Sequence, residues 1–249
     1  MAQGQQRVLV TGSAGRIGRA VVAELTSCGH AVRGLDRVPT PGASDFIVAD
    51  ITDFDAVKRA AAEANAVIHL AATPDDADFL TQLLPPNIIG LHHVLEGARL
   101  GGARRVVVAS SGQVNWWQRQ RQTAPIGPRE PVTPRYWYAA TKVFAEAIGQ
   151  GYSETHGLEV IAVRLGWVPR DAPHIAEISG TDWAQDVYLS PGDAGRFFAA
   201  AVAAPMKERF AILYATSKPV DLPRFDLAPT KELLGWEPRD QWPEGSGQG

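Results

Sequence analysis

The chain has 249 residues, enough to bury one substantial core, and alternating strands and helices can fill that length as a single domain. A formal net charge of -3 with no long run of one sign leaves no broad electrostatic footprint for nucleic acid or an anionic membrane, so neither is expected as a partner. The single cysteine, Cys28, has no internal disulfide partner and is expected as a small buried hydrophobe in a reducing compartment.

The opening residues Met1–Gln6 show no charged-then-apolar leader, and no later stretch reaches the roughly 18 apolar residues of a membrane span, so a cytoplasmic location is expected. Apolar runs predict strands at Arg7–Thr11, Ala31–Leu35, Asp45–Val48, Ala66–Leu70, Arg105–Ala109, Glu159–Arg164 and Phe210–Tyr214. Several are apolar almost throughout, as strands are when helices cover both faces of a parallel sheet. Helical spacing marks Arg16–Cys28, Asp53–Ala64, Phe79–Leu100, Tyr138–His156 and Pro191–Ala203. Pro85-Pro86 should break the third of these, leaving its main helix to begin near Asn87. This alternation predicts an α/β, doubly wound, mostly parallel sheet with right-handed crossovers.

The expected organisation is one domain over 1–249, with a core over about 7–168 and substrate-side segments over about 113–135, 169–190 and 216–241. Trp242–Gly249, rich in Gly and Ser, reads as a frayed tail.

Thr11-Gly12-Ser13-Ala14-Gly15-Arg16-Ile17-Gly18 lies between a predicted strand and a predicted helix, the setting in which a Gly-x-x-Gly-x-x-Gly string cradles a pyrophosphate. Gly12 permits a tight turn, Gly15 lets backbone amides approach the phosphates, and Gly18 lets the helix lie close on the sheet. Ala14, Arg16 and Ile17 complete the turn. Asp36, at the end of the second strand, can accept from both ribose hydroxyls and would repel a 2′-phosphate, which favours NAD over NADP. Arg37 could instead pair with that phosphate or stack on adenine. Asp50, in Asp50-Ile51, can accept from the adenine amino group or, like Asp53, cap a helix.

Tyr138 and Lys142 stand four residues apart on one helix face, after Ser110-Ser111 at a strand end. A lysine and a cationic nicotinamide near the phenol both favour phenolate, so Tyr138 can take a proton from a substrate hydroxyl while hydride leaves. Lys142 would hold the nicotinamide ribose and Ser111 the reacting oxygen. Tyr136 lacks such a lysine. No His, Cys or Asp cluster has metal-ligand spacing, so no metal is expected. Trp116, Trp117, Trp137, Trp167 and Trp183 fall in or beside the irregular segments, where aromatic faces either stack on sugars or cover core. Arg119, Arg121, Arg129 and Arg135 read as a solvated run, His174 as an exposed loop residue and His92-His93 as structural.

In these motifs the chain resembles the extended, NAD-dependent epimerase/dehydratase type of short-chain dehydrogenase/reductase: Thr11–Gly18, Asp36, Asp50-Ile51, His69-Leu70-Ala71-Ala72, Asn87, Ser110-Ser111, Tyr138–Lys142 and Val163-Arg164-Leu165-Gly166 occur in the family's order. The resemblance implies a Rossmann core binding NAD, with Leu70, Ala71 and Ala72 along the dinucleotide, Asn87 supporting the site, and Leu165 and Trp167 near the nicotinamide. It also implies a homodimer through Phe79–Leu100 and Tyr138–His156. Within the family the chain is most similar to uronate dehydrogenases, which oxidise the anomeric carbon of a hexuronic acid to a lactone. It departs from them at Gly112-Gln113, where they carry Asn-His, and at Trp167-Val168, where they carry Ser-Cys. A sugar or sugar-acid substrate is therefore expected, read by Thr73, Ser111, Gly112, Gln113, Trp167 and Arg170. Two other functions fit the same cofactor site: a nucleotide-sugar epimerase or dehydratase with retained NAD, and a non-catalytic NAD(H)-binding regulator.

Overall fold

A computed structural model describes residues 4–118, 121 and 123–247 of the chain. Strands β1 (Arg7–Thr11), β2 (Ala31–Asp36), β3 (Asp45–Val48), β4 (Ala66–His69), β5 (Arg105–Ser111), β6 (Glu159–Leu165) and β7 (Phe210–Ala215) form one sheet in the order β3-β2-β1-β4-β5-β6-β7. Every neighbouring pair is parallel. All strands therefore end at one edge, and the winding reverses between β1 and β4, the switch point at which such sheets leave a crevice.

Between the strands run helices α1 (Arg16–Ser27), α2 (Phe54–Ala61), α3 (Leu91–Leu100), α4 (Trp137–His156), α5 (Ala172–Ser179), α6 (Asp182–Asp186) and α7 (Pro191–Ala203), and α8 (Ala228–Leu234) follows β7. Alternation along β1 divides the core: Val8 and Val10 pack with Val21, Val22 and Leu25 of α1 and Phe197 and Phe198 of α7. Leu9 faces the other way, onto Val57 of α2, Val94 and Leu95 of α3 and Ala145 of α4. Helices on both faces account for the near-continuous apolar strands. This is the doubly wound Rossmann-like fold expected from the sequence.

The proline pair does not break the third helical segment. Phe79–Gly90 is a continuous π-helical stretch that contains Pro85 and Pro86 and passes into α3 at Leu91. Asp78 caps it, accepting from the Thr81 amide at 2.8 Å. A π turn bonds i to i+5 rather than i+4, so the missing proline N–H and the ring are accommodated where an α turn would clash. The wide turn also carries Asn87 inward to full burial.

Two further expectations are corrected. Cys28 is exposed at the C-terminal cap of α1 rather than buried: Leu25 is the last residue of the helix to reach the core, and residues 26–29 are exposed. The C-terminal segment through Gly247 is docked, not frayed: Trp242 packs edge-on against Tyr188, whose hydroxyl donates to the Glu244 carbonyl at 2.6 Å. Arg16 donates to the Gly245 carbonyl at 3.2 Å. Fully buried Asp193 on α7 accepts the amides of Arg239 and Asp240, which fastens the approach to this segment. The substrate-side segments also carry short order of their own in α5, α6 and α8, and parallel bridges join Ile126 to Phe225 and Trp167 to Tyr188.

Candidate active site

The turn after β1 shows why its glycines are needed. Gly12 has φ of +70°, and a Cβ there would lie 2.6 Å from the Ala71 amide nitrogen. A Cβ on Gly18 would lie 2.1 Å from the Gly12 carbonyl, so Gly18 serves the helix's crossing over the turn itself rather than over the sheet. Gly15 is the N-cap of α1; no side chain caps that end and no acidic residue occupies its first turn. The helix start is thus left for a ligand anion. Asp36 is half-buried beneath the turn, its two oxygens accepting from the Ala14 amide at 3.0 Å and the Arg37 amide at 2.7 Å. Each oxygen keeps a second lone pair for a ribose hydroxyl.

Helix α4 delivers the second group. Its N-terminus is held by Asp76, which accepts from the Tyr138 amide at 3.4 Å. Further along, buried Glu146 receives Arg164 of β6 through two contacts of 2.8 and 2.9 Å and the Ser110 hydroxyl of β5 at 2.6 Å. Arg164 continues to Asn115 Oδ1 at 2.9 Å and the Tyr214 hydroxyl at 3.0 Å. The helix is therefore bonded to β5 and β6 through charge-assisted contacts, and Arg164 carries the network on to β7, with Tyr138 and Lys142 on the turns before Glu146. Lys142 Nζ donates to the Ala109 carbonyl at 3.0 Å and lies 5.6 Å from the Tyr138 ring centroid. The Ser111 hydroxyl, at the end of β5, lines the same cavity as the Tyr138 phenol and favours its ionised form.

One cavity of about 630 Å³ joins these parts at the C-terminal edge of the sheet. Its wall includes Gly12, Gly15, Arg16, Ile17, Leu70, Ala72, Ser110, Ser111, Gly112, Gln113, Tyr138, Lys142, Leu165, Trp167 and Arg170. Trp116, Trp183 and His174 line it too, so His174 is not an exposed loop residue but faces the cavity beside Trp167. Of the predicted residues, Ala14, Asp36, Arg37, Asp50, Ile51, Ala71, Thr73 and Asn87 lie off this wall. Asp50 accepts from the Thr52 amide and hydroxyl in a local turn, while Asp53 caps α2. Ile51 packs on Gly90 in the core. The Asn87 amide bonds both backbone polar groups of Thr73 and the Thr141 hydroxyl, tying the loop after β4 to α4; Thr73 therefore spends its backbone on Asn87 instead of on a ligand.

Trp117 and Trp137 also lie off the wall, as do Arg121, Arg129 and Arg135. Arg135 sits over the Trp116, Trp117 and Tyr136 rings, and Arg119 lies outside the described residues. Sequence reasoning missed Pro74, Asp75, Asp76, Asn115, Glu177 and Phe225 on the wall. The loop Pro74-Asp75-Asp76 was findable, because it follows a strand next to the switch point.

Residues 8–168 match the family described as "NAD dependent epimerase/dehydratase family". The chain belongs to that family. It is 30% identical to the L-arabinose 1-dehydrogenase (NAD(P)(+)) of Haloferax volcanii, over 94% of this chain and 96% of that one. It is 31% identical to the uronate dehydrogenase of Pseudomonas syringae pv. tomato, over 64% of this chain and 58% of that protein. The solved glucuronic acid dehydrogenase of Chromohalobacter salexigens superposes with a TM-score of 0.80 at 28% identity, covering 96% of this chain and 86% of the other.

Burial governs the electrostatics of this family member's site. Desolvation pushes the Tyr138 phenol up to about 12; the Ser111 hydrogen bond and Arg170 pull it down, and Asp75 pushes it up. The lysine therefore does not by itself make a phenolate here. Burial also pulls Lys142 down to about 8. His69, at the end of β4, shares a 2.8 Å hydrogen bond with the Thr11 hydroxyl; burial, with a smaller contribution from Lys142, drops it from 6.5 to about 3. In that range the unfolded chain holds a proton at this position that the folded chain refuses. The stability contributed by neutral His69 is therefore complete above pH 6.5 and is lost progressively as pH falls toward about 3. His69→Asn is expected to flatten the fall of urea-unfolding free energy with acidification by up to about 1.4 kcal/mol per pH unit. An unchanged slope would contradict the burial argument.

Proposed function

We propose that the chain is an NAD-dependent dehydrogenase that oxidises a carbohydrate hydroxyl or lactol, with Ser111, Tyr138 and Lys142 as its catalytic residues. The observation that carries this reading is the single cavity that holds the phosphate turn at one end and these three side chains at the other. The family match and the sugar dehydrogenases among its relatives support the same reaction class. The glycine turn, the uncapped start of α1 and the half-buried Asp36 fit a dinucleotide; Gly15, Arg16 and Ile17 would meet its diphosphate and Asp36 its adenosine ribose. Bound NAD supplies the acceptor for the hydride that leaves the sugar carbon. Ser111 donates to the sugar oxygen and fixes its distance from Tyr138. With the nicotinamide's positive charge on one side and Lys142, charged below its pKa of about 8, on the other, Tyr138 would ionise and its Oη would then take the hydroxyl proton as the carbonyl forms.

Retained-NAD epimerisation and dehydration draw less support, because Gly112 and Gln113 put no acid beyond the serine pair. A regulator would not require the Ser111, Tyr138 and Lys142 set. Tyr138→Phe is expected to lower kcat by about 10²–10⁴ while leaving NAD affinity within a few-fold. Steady-state NADH formation with a panel of aldoses and uronates, beside calorimetric NAD binding, reads both; an unaffected kcat would sink the mechanism.

We also propose a cytoplasmic homodimer. Leu80 (69% exposed), Ile89, Trp137 (61% exposed) and Phe144 put apolar side chains on the outer face of the π-helical segment and α4. The free, exposed Cys28 suits a reducing compartment. Sedimentation should give twice the chain mass and Phe144→Arg should shift it toward the monomer; a monomeric wild type would refute the dimer.

A further inference from the structure

The arginine on the substrate side of the cavity is already paired. Arg170, just before α5, reaches back to Asp75 on the loop after β4, and the two form an ion pair at the cavity wall. Gln113 Nε2 donates to the other Asp75 oxygen at 3.2 Å, and Arg170 also lies 3.3 Å from His174 Nε2. Two segments distant in sequence thus converge on the Asp75 carboxylate. Asp75 has φ of +58°, a left-handed conformation that Asp, Asn and Gly adopt more readily than other residues. Arg170 and Asp75 both line the cavity that holds Tyr138, although their side chains stay 41% and 46% exposed to solvent.

We propose that Asp75 is the specificity-determining residue of this pocket: by occupying Arg170 it makes the site accept an uncharged aldose and reject a sugar acid. The inference rests on the dehydrogenase reading and deepens it. A uronate carboxylate would have to displace Asp75 from Arg170 and then remain beside it, and two like charges in a partly desolvated wall disfavour each other. Among the described wall residues the other arginine and lysine side chains stand elsewhere, Arg16 at the phosphate turn and Lys142 beside Tyr138. Asp76 and Glu177 add two more carboxyl groups to the same wall. An uncharged aldose meets the same groups with hydroxyls alone. It donates to Asp75 and accepts from Gln113 and Arg170 without breaking the pair, so the discrimination arises from repelling the acid as much as from holding the sugar.

The test compares D-galactose with D-galacturonate and D-glucose with D-glucuronate. It measures kcat/KM with NAD and, separately, equilibrium binding to the protein saturated with NADH, where no oxidation can occur. The wild type should favour the neutral member of each pair by more than about tenfold. Asp75→Asn, which keeps the shape and tolerates the positive φ, should move that ratio toward the acid by about tenfold or more, and Asp75→Gly should do the same if the asparagine variant misfolds. Adding Arg170→Ala to Asp75→Asn should abolish the gain, since the liberated guanidinium is its source. A wild type that prefers the acid, a ratio unmoved by Asp75→Asn, or a gain that survives loss of Arg170 would each overturn the proposal. Aldose binding to the NADH complex without any turnover of NAD would contradict the dehydrogenase reading instead, and the selectivity would still be read from the binding ratio.

Discussion

The buried contact between Glu146 and Arg164 sets the geometry on which the site depends. Glu146 sits on the helix that carries Tyr138 and Lys142, and Arg164 on the strand beside the one that ends in Ser111. Burying such a pair is expensive and is tolerated only when the remaining hydrogen-bonding capacity is met. Here Ser110, Asn115 and Tyr214 meet it. What the pair supplies is placement: the helix has one registry against the sheet in which all these bonds form, and that registry puts the phenol against Ser111 at the cavity wall.

Parallel strands supply the second constraint. Because every strand ends at the same edge, the phosphate turn after β1, the loop after β4, the serines of β5 and the strand end at Leu165 border one crevice although they are far apart in sequence. The π-helical stretch contributes at a distance. Its wide turn buries Asn87, which ties Thr73 to Thr141 and so joins the loop that bears Asp75 to the helix that bears Tyr138. The loop after β4 and the helix that carries Tyr138 are thereby tied to one another.

Much of this was legible in the sequence because the physics was local. Strands covered on both faces become apolar runs, the glycine turn needs a positive φ and close approaches that only glycine allows, and a tyrosine four residues before a lysine shares its helix face. The unreadable parts are long-range or depend on an unusual backbone. A proline pair predicts a helix end unless the turn widens to a π form, which nothing in the local pattern signals. The docking of Trp242 and Glu244 on Tyr188 depends on contacts across more than 50 positions. Asp75 and Arg170 lie 95 positions apart, and the reason they meet is the convergence of loops at the sheet edge, not any spacing along the chain. Ser111, Gly112, Gln113, Trp167 and Arg170 could thus be named from the sequence as residues of one wall, while the carboxylate of Asp75 that joins two of them could not.

The central claim is that the convergence of Ser111, Tyr138 and Lys142 at the end of a dinucleotide crevice performs net hydride transfer from a sugar. Turnover of an aldose deuterated at its anomeric carbon, followed by mass spectrometry of the nicotinamide, tests it most directly. The account predicts stoichiometric deuterium in NADH together with an oxidised sugar. Deuterium retained in an epimerised or dehydrated sugar, with NAD unchanged at the end of the reaction, would contradict it.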